Sequence, residues 1–571
     1  MSSRLPLLLF SLLPLTLPAR AQDPVPPDQA GPAVETGAQP GTAAPLAPVG
    51  SVRPKKDYSK GYPAPWRPGF ESIRVEDCRA WLTHLASDEM EGRATGQPGF
   101  ERAARWLAAR FQEFGLEPVA ADGSYFQMVP FEATQVSVDK SYLALIEKPK
   151  DGDDAATRPK ELLRLPIGKG LGGSMYEPST KRHDLIFVTA RTATDIDRDK
   201  VSRKTVIFVD RSEIGPYGRS KAYVALRRAR PAAVILVDEK RANADVLANR
   251  RVRYAGRKNA LGGRWRQPNQ YALTPEATAR LLAHAGIQVD LGKDAAAGTW
   301  VLDGVQLQSH IEVETKPVFA CNVVGMLRGR DPELSKEIVG IGSHLDHIGK
   351  RGTVVNNGAD DDGSGTTGVL AVARAFTQNK HRPRRSLLFM AFCGEELGLI
   401  GSSYYVDHPL FPNSQMVAEL QMDMIGRNEE HTRSGEKAED NVNSLHLVGS
   451  KKLSEELHEI CLHANDRFAG FAFEYDEENV FNRSDHKNFA KMDIPIAFFF
   501  TGFHPQYHKP DDTVDRIDFP KLARVARLVY SIAWETAERD RRPKVDRTYA
   551  EVMEAERAKR AAERAGRQRR R

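Results

Sequence analysis

Four short clusters in the second half of the chain carry side chains able to hold metal ions and move protons. Ser343-His344-Leu345-Asp346-His347 follows an apolar run. In extended backbone His344 and Asp346 point the same way, and a carboxylate beside an imidazole can hold its non-ligating nitrogen. In the stretch 357–365, three consecutive acids, Asp360, Asp361 and Asp362, enter a helical pattern. One of them would serve as a helix cap, but three in a row repel one another, and a cation resolves the repulsion. A calcium EF-hand is excluded: with Gly363 at its obligatory glycine, Gly358 and Val369 fall where Asp and Glu are required. Next, Cys393-Gly394-Glu395-Glu396 places paired carboxylates at the mouth of an apolar strand, where one can bind metal and the other transfer protons. Asp423, flanked by Met422 and Met424, is costly to bury unless paired or coordinated, and His508 lies in Tyr507-His508-Lys509-Pro510-Asp511-Asp512-Thr513.

Together, His344, Asp361, Glu396, Asp423 and His508 supply the mixed nitrogen and oxygen ligands that suit zinc, with Glu395 to spare. A carboxylate shared by two ions would give a co-catalytic pair ~3.5–4 Å apart. No GxSxG elbow and no P-loop occurs, so serine-hydrolase and nucleotide-hydrolase chemistry lack their usual support. Cys78, Cys321, Cys393 and Cys461 are scattered without CxxC spacing, and neither a structural zinc nor a disulfide framework is expected. The net charge of +6 is local: residues 539–571 hold 13 Lys and Arg against 6 Asp and Glu, or +7, which leaves −1 for the rest. A nucleic-acid partner is therefore not expected.

These clusters must be positioned by alternating strands and helices. The pattern predicts strands at 337–343 and 386–392 and a helix over 363–376, with Val369, Val372, Ala373 and Phe376 on one face. Such alternation argues an α/β fold: a three-layer, mostly parallel, twisted sheet with helices on both faces. Residues 100–114 read as an amphipathic helix. Between them, β-rich stretches at 184–189, 205–210 and 233–238, with one helix near 221–230, suggest a separate small domain. At the N-terminus, Arg4, an apolar run over 5–18 and Ala19-Arg20-Ala21 read as an export signal, 1–21, too short to span a bilayer. The Pro/Ala-rich segment 22–60 reads as a disordered linker and 541–571 as a basic helical or disordered tail.

The ordered motifs HxD, GADDDGSG, GEELG, MDMIG and YHKPDDT, with Arg483-Ser484-Asp485-His486 ahead of the last of them, resemble the di-zinc aminopeptidases of metallopeptidase family twenty-eight. The stretch 85–99 is similar to the N-terminal part of bacterial members, and the middle segment resembles, more weakly, an inserted protease-associated domain. The resemblance implies a discontinuous peptidase domain at 61–139 and 303–540, with the insertion at 140–302. It implies two Zn2+: His344 and Asp423 on one, Glu396 and His508 on the other, Asp361 bridging. Glu395 would be the general base, Tyr507 a hydrogen-bond donor to the developing oxyanion, Asp346 the group orienting His344, and Asp512 that orienting His508. Asp360 departs from the family's usual Asn and adds negative charge beside the metals. The implied activity is that of an exported, periplasmic or extracellular aminopeptidase, acting on peptides or proteins with a free N-terminus, without a membrane span. One-zinc glutaminyl cyclases and carboxypeptidases, and catalytically silent binding proteins, share the architecture.

Overall fold

The apolar run before His344 forms the strand Ile338–His344, every residue of it buried. Residues buried on both faces of a sheet read as continuous apolar runs, and so do its neighbours Ser386–Phe392 and Met416–Met422. In the computed structural model the described residues are 62–149, 159–211, 220–244, 251–255, 269–291, 296–431, 435, 437–475 and 478–569. The segments expected to be an export signal and a linker, 1–21 and 22–60, lie outside them.

The main sheet has nine strands. Its centre is parallel: Ser386–Phe392, Ile338–His344, Met416–Met422 and Ile496–Phe500 lie side by side in that order. Its margins are antiparallel. Cys321–Leu327 pairs with Ser386–Phe392 and carries the short strands Glu117–Pro118 and Phe126–Met128, while Ser444–Val448 pairs with Ile496–Phe500. Ala472–Glu474 closes the far edge, parallel to Ser444–Val448. The sheet is thus mixed rather than mostly parallel. Helices link the parallel neighbours, among them Gly365–Thr377 between Ile338–His344 and Ser386–Phe392 and Glu455–Ala464 between Ser444–Val448 and Ala472–Glu474, the connection that parallel pairing requires.

Alternate residues feed two cores on opposite faces. Leu387, Phe389 and Ala391 join Val369, Val372 and Phe376 of the helix Gly365–Thr377 and much of Phe519–Glu538. Leu388, Met390 and Phe392 join Tyr405 and Phe489 on the other side. Within the first core Phe376 stacks on Trp534, ring centres 5.3 Å apart and planes 1° from parallel. Trp534 is fully buried, so truncating it would cost about 3–5 kcal/mol.

The described residues between 142 and 310 contribute a second sheet, of eight strands among the described residues, with cores of their own, separate from the first sheet's strands. Its members Arg182–Ala190, Thr205–Asp210, Ala233–Val237 and the helix Lys221–Arg228 fall where the sequence pattern predicts them. The chain leaves for this sheet along Phe131–Val136 and returns along Val313–Val318, and the two pair antiparallel with Arg251–Tyr254 beside them. All described residues fall within one compact unit. Near the C-terminus, the helix Tyr549–Arg569 buries Val552 against the second core and pairs Glu556 with Lys452. Among the described residues no helix is long and apolar enough to cross a membrane.

Candidate metal centre

Chain order and sheet order disagree around Ile338–His344. From its end the chain crosses through Gly365–Thr377 to Ser386–Phe392 on one side, and the later strand Met416–Met422 lies on the other. Such a reversal opens a crevice at the carboxyl ends of the strands, where α/β sheets bind ligands. The four clusters meet there. His344 ends its strand, Glu395 and Glu396 follow Phe392, Asp423 follows Met422, and His508 lies in the loop after Phe500.

Asp361 sits at the middle. Its Oδ1 is 3.3 Å from His344 Nε2, which in turn lies 3.5 Å from Asp423 Oδ1. Its Oδ2 is 3.0 Å from His508 Nε2, which lies 3.1 Å from Glu396 Oε2. Zinc ligands at 2.0–2.2 Å in a tetrahedron stand roughly 3.3–3.6 Å from one another. The His344 contacts have that spacing and are longer than good hydrogen bonds. One carboxylate thus offers an oxygen to each of two donor groups, and the donor set fits two zinc ions.

His347 joins the second group, its Nδ1 2.9 Å from Glu396 Oε1 and 3.6 Å from Asp361 Oδ2. Asp362 also lies close to His344 and Asp423, but its oxygens accept the backbone N–H groups of His344, Gly365 and Met424. That anchors the start of the helix and leaves Asp361 turned to the crevice. Gly358 makes this turn possible: at φ +58° a Cβ would lie 2.3 Å from the Asp361 carbonyl and 2.5 Å from the His347 ring.

Charge gives an independent argument for cations. Asp346, Asp360, Asp361, Asp362 and Asp423 are buried, and Glu395 and Glu396 nearly so, with side-chain exposures of 12% and 10%. Uncompensated, such a group of carboxylates would be prohibitively costly. The two glutamates are pushed in opposite directions. Burial, opposed by His344 and reinforced by Asp423, holds the Glu395 carboxyl well above the usual range. Burial and Asp361 raise Glu396 too, yet hydrogen bonds from His347 and His508 bring it below its usual value.

The expected supporting roles are redistributed. His344 is oriented by the backbone carbonyl of Asp346, 2.9 Å from Nδ1, while the Asp346 carboxylate is 4.0 Å away and accepts from Glu395 N at 3.1 Å. Main-chain reach is shorter here because the chain turns directly after the strand. Asp512, expected to orient His508, instead accepts the N–H groups of Asp360 and Asp361 at 3.1 Å and so fixes the central loop. Asp360 accepts from Gly426 N and faces His504 Nε2 at 3.3 Å, which places a histidine against the extra charge. Tyr507 stacks on His508, ring centres 3.9 Å apart, with its hydroxyl 3.4 Å from Arg483.

Sequence reasoning missed Arg93. Fully buried, its guanidinium donates to the carbonyls of Leu85, Leu345, Asn357 and Gly358, tying the loop after His344 to the loop before Asp361. Burial lowers its basicity, and Asp362, Asp361, Asp512 and Asp346 work against that. Arg93→Met should destabilise the metal-free protein by about 3–5 kcal/mol, because it strands the carbonyls of Leu85, Leu345 and Asn357, leaves that of Gly358 with Gly363 N alone, and removes a cation from buried acids. Urea unfolding of the chelated protein measures this; a loss under 1 kcal/mol contradicts the assigned role.

Fold and donors define the class: a mixed α/β protein with a paired metal-binding centre at the carboxyl ends of its parallel strands. Residues 322–533 match the model of Peptidase family M28. A probable leucine aminopeptidase of Arthroderma otae is 28% identical over 220 residues, 37% of this chain and 57% of its own length. Aminopeptidase YwaD of Bacillus subtilis is 30% identical over 235 residues, 39% of this chain and 46% of its own. The chain thus spans about half the length of these curated relatives. Among solved structures, an aminopeptidase from Aneurinibacillus sp. strain AM-1 aligns with 84% of this chain and 98% of its own, at 20% identity and a TM-score of 0.47.

Proposed function

We propose that this chain is a two-zinc aminopeptidase that hydrolyses the N-terminal peptide bond of peptides and proteins. The observation that carries the reading is the single carboxylate of Asp361 set between two histidine-containing donor groups, with the unused Glu395 beside them, Oε2 4.0 Å from His344 Nε2. His344 and Asp423 would hold one ion and Glu396 and His508 the other. Zinc, when bound, supplies Lewis acidity and lowers the pKa of water from 15.7 toward ~7. Glu395 then takes a proton from the attacking water on its carboxylate and returns it to the departing amine. The Asp346 carboxylate fixes the backbone from which Glu395 projects. Tyr507, beside His508 in the same pocket, is placed to donate to oxygen as charge develops.

The pocket suits an N-terminal residue with an apolar side chain. Met424, Val480, Phe498, Phe500 and Phe503 line it together with His344, Asp361, Glu395, Asp423 and Arg483. Phe498 and Phe500 are two apart on one strand and face the same way. The printed names of the relatives, aminopeptidases all, support the same reading. A peptide-library digest of the zinc-replete protein, read by mass spectrometry, tests it. Stepwise loss of single residues from free N-termini, fastest for large apolar ones, is expected; internal cleavage, or no cleavage with cyclisation of N-terminal glutamine, overturns it.

Two further readings belong here. Residues 140–302 form an inserted protease-associated domain, supported by a sheet whose strands all come from residues 142–310 and by its separate cores. Export is supported by the apolar run over 5–18 and the small-x-small motif after it. N-terminal sequencing of the mature protein should begin at Gln22; an intact Met1 on the functional enzyme contradicts export by this route.

A further inference from the structure

A third group of metal-capable donors lies away from the paired centre, at the far margin of the main sheet. His446 is on the strand Ser444–Val448, in register with Glu474 on one side and Phe500 on the other. Register partners share a face, so the imidazole and the Glu474 carboxylate are presented together. Glu429 reaches them from the loop after Gly426. Its Oε2 is 2.9 Å from His446 Nε2, which lies 3.6 Å from Glu474 Oε2. These are the same two separations that His347 makes with Glu396 and Asp361 in the paired centre. On its other oxygen Glu429 meets His431 Nε2 at 2.8 Å, which brings a second imidazole to the group.

We propose that Glu429, His446 and Glu474 form a third metal site, for a divalent cation of the zinc type, with His431 beside it. One imidazole and two carboxylates converge within 4.8 Å of one another, and three protein ligands with an open fourth position are a coordination that zinc takes. The surroundings are built for Glu429 to be there. Gly502, at φ +93°, leaves the space through which its side chain passes; a Cβ would lie 2.4 Å from Glu429 Cβ. Asn441 Nδ2 donates to its carbonyl, and Glu430 N donates to Phe503 O. His446 and Glu429 are buried, whereas His431 and Glu474, with side-chain exposures of 39% and 33%, leave a path for the ion. An ion here would brace the substrate pocket from behind, since the Phe500 ring packs on His446 at 5.6 Å and lines the pocket on its other side.

The proposal concerns metal content and stands apart from the peptidase reading. The full chain is equilibrated with zinc chloride, desalted, and its metal counted by elemental analysis. Three ions per chain are expected for the parent, two for His431→Ala/Glu474→Gln, and one for His344→Ala/His508→Ala, which keeps only the third site. A parent count of two that the His431/Glu474 pair leaves unchanged, or three that it leaves at three, overturns the site. If the His431→Ala/Glu474→Gln chain does not fold, thermal unfolding of His344→Ala/His508→Ala decides. A zinc-dependent rise in melting temperature of several degrees supports the site, and none overturns it.

Discussion

Glu395→Gln should keep both catalytic ions and lose turnover by about 10³-fold, the middle of the range that general acid–base catalysis contributes. The side chain makes none of the short donor contacts around Asp361, and its backbone N–H, which bonds to Asp346, is unaffected by the exchange. Glutamine has the same shape but cannot accept the proton. The loss should therefore fall on kcat, with KM little changed and metal content at the parental value. Hydrolysis at the parental rate by a metal-replete variant would remove Glu395 from the chemistry.

Asp361→Asn has the opposite signature. The Asp361 carboxylate lies within 3.3 Å of His344 and 3.0 Å of His508, so one substitution weakens both ions. Asparagine is neutral, and only one of its two terminal atoms can serve as a ligand. Loss of a group that merely supports a ligand costs ~10–100-fold in metal affinity, and loss of a shared ligand should exceed that. Dialysis against a weak chelator, followed by a metal count, should show the variant stripped of its catalytic pair while the parent retains it. Retention of both ions would place the bridge on another acid.

The two variants separate because the fold turns Asp361 between both donor groups and leaves Glu395 outside their short contacts. How that turning happens is only partly legible. Runs such as Ile338–His344 and Ser386–Phe392 announce themselves because strands buried on both faces leave no room for polar residues. The candidate donors are legible in two ways: three adjacent acids and an acid between methionines point to a cation, while His508 and the Glu395–Glu396 pair stand out only through the family resemblance. The sheet's antiparallel margins are not legible: pairing direction depends on connections between distant segments, and Cys321–Leu327 has the same apolar composition as its parallel neighbours.

Arg93, His347 and the Glu429 group escape for a related reason. Arg93 bonds to carbonyls 252 and 265 positions away, and backbone acceptors carry no sequence signature. His347 lies one residue beyond the HxD pattern, where a loop histidine is unremarkable until Glu396 is brought to it. Glu429, His431, His446 and Glu474 are spread over three segments, and only the register of two short edge strands unites them. The same holds for orientation. The resemblance brings Asp346 and Asp512 to the donor cluster, but which atom each contacts is decided by backbone turns.

The proposed chemistry requires two cations, one on either side of the Asp361 carboxylate. Diffraction from crystals of the zinc-replete protein, recorded on both sides of the zinc absorption edge, should show two anomalous peaks ~3.5–4 Å apart flanking Asp361, one within bonding distance of His344 and Asp423, the other of Glu396 and His508. A single peak at that position, or peaks there that Asp361 does not touch, would contradict it.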